Sequence, residues 1–164
     1  MRKFLFVIPL VFLSNCANAD IVVWETKEQA AQLKSPNAIL TVEYNSQSKC
    51  SDVFVSVLVI KSTKLGKFIS RDFADASKEK NKLNFLLNGK VFDYSTEKTL
   101  RAIYEDGVEF GVLPPMRLVE ELKTNTGDLE VRIGSAPLAR FEKNQGLAEA
   151  LVPAKTNCLN KSKK

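Results

Sequence analysis

The chain has 164 residues, 24 basic against 19 acidic, with 45% hydrophobic residues and no histidine. That length suits one domain with a sizeable core, and a net charge of only +5 argues against a nucleic-acid-binding surface. The missing histidine removes the commonest general base and the commonest metal ligand together.

The N-terminus predicts export. Arg2 and Lys3 precede an apolar run from Phe4 to Leu13, and Ala17-Asn18-Ala19 follows, which is the layout of a secretory signal peptide over residues 1–19. The apolar run falls short of the roughly 20 residues that span a bilayer, so no permanent transmembrane helix is expected. Cleavage between Ala19 and Asp20 leaves 145 residues, and loss of Arg2 and Lys3 lowers the excess charge to +3, as 22 basic residues against 19 acidic. The expected mature chain, 20–164, is a single domain in the periplasm or outside the cell, ending in a short flexible basic tail. Leu13-Ser14-Asn15-Cys16 supports a second outcome, since it is similar to a bacterial lipobox, in which Cys16 is lipidated and becomes the N-terminus. Asn15 stands where a lipobox usually has Gly or Ala, and Ala17-Asn18-Ala19 offers the competing site.

Once Cys16 is gone, Cys50 and Cys158 remain. An exported domain with two cysteines is expected to join them, because the extracytoplasmic compartment favours disulfides, with two free or intermolecular thiols as the alternative.

In chain order, Ile21-Val22-Val23-Trp24 predicts a short strand. Thr26 and Gln29 form a capping-box pattern that predicts a helix over 27–34, with Ala30, Ala31 and Leu33 inward and Ser35-Pro36-Asn37 as its stop. Leu40, Val42 and Tyr44 alternate with Thr41 and Glu43 on a half-buried strand, and the polar stretch after it delivers Cys50 to the head of the next strand. Val53 to Ile60 is apolar on both faces and reads as a central strand covered from two sides. Strand followed by loop is expected over 62–82. Leu83 to Leu87 and Lys90 to Tyr94 flank Asn88-Gly89, a strong hairpin signal, and 99–104 and 108–112 form a second hairpin across Glu105-Asp106-Gly107. After Leu113-Pro114-Pro115, Leu118, Val119 and Leu122 mark one face of a helix over 116–123. Leu129, Val131 and Ile133 define a strand, Leu138 to Phe141 continues it, and Gly146 to Val152 closes with a helical turn or two stopped by Pro153. The expected fold is therefore mostly β, an antiparallel sandwich or curved sheet with two or three short helices.

No residue cluster specifies a reaction, a cofactor or a metal. Ser46-Gln47-Ser48-Lys49 and Ser95-Thr96-Glu97-Lys98 carry the Ser-x-x-Lys spacing, but both fall in or beside polar turns. The acidic run 104–109 lacks the ligand spacing of a calcium loop, and Glu120 and Glu121 are helix neighbours that do not face each other. Trp24, Tyr44, Phe54, Phe85, Phe92, Tyr94, Phe110 and Phe141 fall on expected strands and read as core, with an exposed Tyr44 or Tyr94 beside a groove as the exception.

The C-terminal half carries a resemblance. Leu118-Val119-Glu120-Glu121-Leu122-Lys123, Leu129-Glu130-Val131-Arg132, Phe141, Gly146-Leu147-Ala148-Glu149-Ala150-Leu151 and the late Cys158 resemble small exported bacterial proteins of the type VI secretion accessory (VasI-like) and invasion-associated locus B kinds. The stretch Tyr44 to Val57 around Cys50 is similar to their early cysteine-bearing strand. Glu142-Lys143-Asn144-Gln145 is longer and more polar than the short link expected in those families. The resemblance implies a periplasmic, disulfide-bonded β-sandwich without catalytic residues. The expected function is a non-enzymatic accessory protein that binds another envelope protein, with an outer-membrane lipoprotein anchored through Cys16 as the alternative and a hydrolase as a third class.

Overall fold

The computed structural model describes residues 23–60, 82–95, 100–112, 115–134, 136–142 and 144–162. Among these residues ten strands and two α-helices run in the order β1 (Glu25–Lys27), β2 (Ala30–Ser35), β3 (Ala38–Tyr44), β4 (Val53–Ile60), β5 (Lys82–Leu87), β6 (Lys90–Ser95), β7 (Leu100–Ile103), β8 (Gly107–Val112), α1 (Met116–Thr124), β9 (Leu129–Ile133), β10 (Ala136–Phe141) and α2 (Leu147–Lys161). They build a six-stranded sheet, β1-β2-β3-β4-β8-β7, and a four-stranded sheet, β10-β9-β5-β6. Every paired strand in both is antiparallel, so the mostly β class read from the sequence holds.

The core follows from the period-2 pattern. Register places Leu33, Leu40, Val57 and Phe110 in one row and Ala31, Val42, Val55 and Val112 in the next, all buried. Leu83, Phe85, Leu129, Val131 and Phe141 from the smaller sheet join them in a single cluster, closed by Leu118, Val119 and Leu122 of α1 and Leu147, Ala150 and Leu151 of α2. Each large side chain removed from water here favours the fold by about 1.5–3 kcal/mol. The Asn88-Gly89 turn has φ of 50° and 80°, as a type I′ hairpin requires, and aligns Leu87 with Lys90.

Several expectations are corrected. No helix forms over 27–34: residues 25–27 and 30–35 are strands turned by Glu28 and Gln29, and Pro36-Asn37 is the β2–β3 turn rather than a helix stop. The segment carries good helix formers, but pairing Ala31 with Val42 and Leu33 with Leu40 buries both side chains, and tertiary burial outweighs the weak local preference. Thr26 Oγ1 donates to the Ala150 carbonyl at 2.9 Å and Gln29 Nε2 to Glu43 at 2.8 Å, so neither caps a helix.

Of the strand expected at 21–24, Ile21 and Val22 lie outside the described residues, and Val23 and Trp24 are not part of a strand; the first described strand is β1 at Glu25–Lys27. Val23 makes an isolated parallel bridge to Gln145, and the Trp24 ring is buried. Strand β4 is central, but it is not covered equally from both sides: Val55, Val57 and Val59 are buried while Phe54 is 37% exposed. Gly107 does not supply a left-handed turn. It begins β8, where an added Cβ would lie 2.8 Å from the Val59 carbonyl oxygen, so the absent side chain permits close strand approach.

Helix α2 continues past Pro153 to Lys161. Its burial of Ala154 and Cys158 holds the second half in place despite the lost N–H. The basic tail shrinks accordingly, since Lys155 and Lys161 belong to the helix and Lys161 pairs with Glu28 at 2.6 Å. The expected signal segment, the expected Ala19–Asp20 cleavage site, Cys16, the strand-and-loop stretch through 81, Thr96 to Lys98 and the last two lysines lie outside the described residues.

Candidate functional site

Asn45 starts a single 3-10 turn, Ser46–Ser48, by accepting the Gln47 amide on its side chain. Lys49 and Cys50 then adopt left-handed φ of 55° and 62°, an uncommon conformation for residues with a Cβ. This sharp reversal returns the chain to β4, with the Asn45 amide donating to the Asp52 carbonyl at 2.9 Å. Cys50 therefore sits in the turn, three residues before β4, and not at its head. It is disulfide-bonded to Cys158, with Cα atoms 6.1 Å apart, and both cysteines are fully buried. Cys158 lies within α2 and does not follow it.

The bond thus fastens α2 to the end of β3, where Tyr44 is half-buried. Tyr44, Lys123 at the end of α1 and the outer side of α2 enclose an open groove of about 460 Å³. Val152 and Leu159 project beside it, 67% and 40% exposed, and the Lys155 ammonium stands 6.0 Å from the Tyr44 ring centroid. Tyr44 is thus the aromatic exception the sequence allowed for. Tyr94 is not: it is buried, packs edge-on against Phe85 at 5.8 Å, and burial raises its phenol above the ordinary value despite the opposing charge of Arg117.

Two further concavities are less selective. One crosses the outer face of the larger sheet, with Ile39 and Leu58 among Lys27, Lys34, Glu43 and Glu109, where both charge signs mix. The other lies between Trp24 and the start of α2 and includes Gln145 and Glu149. Trp24 Nε1, Asn84 Oδ1 and Asn144 Oδ1 are buried and find no partner among the described residues.

The Ser-x-x-Lys segment at 46–49 does not assemble a nucleophile. Ser48 Oγ donates to the Asn45 carbonyl at 3.0 Å and accepts from the Asp52 amide at 3.1 Å, and Lys49 meets Ser46 through its backbone amide. Glu120 pairs with Lys123 at 2.9 Å, and Glu121 contacts Lys90 and Asn125. Tyr104 donates to Glu109 at 2.9 Å within the acidic hairpin. Among the described residues no group of three or more acidic or cysteine side chains is arranged to hold a metal, and no helix is long and apolar enough to cross a membrane. Arg132 hydrogen-bonds Glu130 and holds its carboxyl below the ordinary range, while Lys161 does the same for Glu28; the first pair is half-buried, the second exposed.

Sequence reasoning missed the groove. The signal was present, because Ala148, Val152, Lys155 and Leu159 follow one another at steps of four, three and four residues. It was masked by ending the helix at Pro153. The chain matches no protein-family model, no curated protein and no solved structure.

Proposed function

We propose that this chain is an exported, non-enzymatic protein of the bacterial envelope that works by binding another envelope protein, in the manner of a secretion-system accessory. The observation that carries it is the Cys50–Cys158 disulfide, which closes a loop of 108 residues and requires an oxidising compartment to persist. The signal-like order of residues 1–19 points the same way, as does the resemblance of the C-terminal half to small exported accessory proteins. Binding rather than catalysis is favoured because the chain has no histidine and the serines beside Lys49 are committed to a turn.

Cell fractionation with N-terminal sequencing tests this directly. The expected result is a chain beginning at Asp20 in the periplasmic or secreted fraction, without free thiols before reduction. A cytoplasmic chain that keeps Met1, or two thiols that titrate in unreduced protein, overturns it.

The lipobox-like Leu13-Ser14-Asn15-Cys16 favours a second reading, an outer-membrane lipoprotein. Palmitate labelling that disappears in Cys16→Ala, together with membrane association, selects it over the soluble form.

A further inference from the structure

Helix α2 carries two apolar stripes. Leu147, Leu151, Ala154 and Cys158 face the core and are buried. Ala148, Val152 and Leu159 form the second on the exposed side, interrupted by Lys155, with the spacing by which one helix is read by another. An apolar stripe on a water-facing helix side gains nothing for the isolated fold, since its burial energy is realised only when something covers it. The groove beside it has Tyr44 at one wall and Lys123 and Lys155 at its rim; Lys123 is already paired with Glu120 at 2.9 Å, Lys155 stands over the Tyr44 ring, and among the described residues no acidic side chain lines the groove itself.

We propose that this groove is a docking site for an amphipathic segment of a partner protein that presents aliphatic or aromatic side chains next to carboxylates. This deepens the binding function proposed above and rests on it. Side chains of the segment enter between Val152 and Leu159 against Tyr44, and a carboxylate beside them meets Lys155. The charge makes the selection. A second copy of this chain would set lysines against lysines across a twofold contact, where like charges are unfavourable. A lipid surface fits less well, because the site is concave around Tyr44 whereas surface insertion needs a projecting apolar face. The disulfide and the packing of α2 on β1, β2 and β3 hold the groove in place, which lowers the ordering cost of binding.

The test is photo-cross-linking in the cells that encode the chain, with a photoreactive residue replacing Thr156 or Val152 in the full-length protein and Val91 on β6 as the control position. The expected result is a covalent adduct from the two α2 positions and not from position 91. Mass spectrometry should place its partner peptide in a segment with Leu, Ile or Phe beside Asp or Glu. Adding Lys155→Glu should cut the yield at least tenfold at equal chain abundance and with the disulfide intact. Reversal of the partner carboxylate to Lys should restore it. An adduct to a second copy, an adduct to lipid, a partner peptide without carboxylates, a yield unchanged by Lys155→Glu, or no adduct at all overturns the proposal. Fractionation separates this from its parent: an exported chain that cross-links only through position 91 keeps the binding function and removes the groove, whereas a cytoplasmic chain removes the envelope function whatever the groove does.

Discussion

Cys50 and Cys158 are 108 positions apart in the chain and 6.1 Å apart at their Cα atoms, across the corner where the turn after β3 meets α2. A loop of that length gives a cross-link of about 4–5 kcal/mol on the chain-entropy model. Cys50→Ser is expected to lower stability by up to that amount. Hydrogen exchange should accelerate first in α2, before the β3–β4 ladder. Urea unfolding with and without reductant measures the loss, and equal midpoints would remove the disulfide from the list of stabilising contacts.

Gly107 begins β8 opposite Ile60, and a Cβ there would meet the Val59 carbonyl oxygen at 2.8 Å and Leu58 Cδ1 at 3.0 Å. Leu58 can turn aside, but the backbone carbonyl cannot without disturbing the β4–β8 ladder. Gly107→Ala is therefore expected to cost about 1–3 kcal/mol, the usual range for overpacking, read from the denaturation midpoint.

Pro153 is exposed and stands inside α2, where it offers no N–H to the Glu149 carbonyl and crowds it. Pro153→Ala restores that hydrogen bond and should raise stability by between about 1 and 3 kcal/mol, with a matching gain in helical circular dichroism. A drop in stability would mean that the proline stabilises by restricting the unfolded chain more than it disrupts the helix.

Burial lifts the Tyr94 phenol above its ordinary value of 10.0, because the charged form is poorly solvated on the inner face of β6. A raised value in the folded state means that the contribution is complete below pH 10 and fades as pH climbs through the folded value. The wild-type chain should lose stability above that pH more steeply than Tyr94→Phe, which keeps the ring against Phe85 and removes the ionisation. Parallel curves for the two proteins would assign the alkaline loss to other groups.

By itself the sequence determined the parts whose pattern is local. Leu129, Val131 and Ile133 alternate with Glu130 and Arg132 and become β9, Asn88-Gly89 becomes a hairpin turn with both φ positive, and Leu118, Val119 and Leu122 become the buried side of α1. Cys50 and Cys158, the two cysteines outside the expected leader, were enough to expect their pairing. Only the tertiary structure decided the rest. Residues 27–34 carry helix formers and a capping pattern, yet they lie in strands because Val42 and Leu40, which come later in the chain, bury Ala31 and Leu33. Pro153 looks like a stop, but α2 continues because Ala154 and Cys158 are packed and bonded to a turn more than a hundred residues earlier. The groove depends on that continuation: Tyr44, Lys123 and Val152 are scattered in sequence, and they meet only because burial and the disulfide bring the end of β3, the end of α1 and the outer stripe of α2 to one corner.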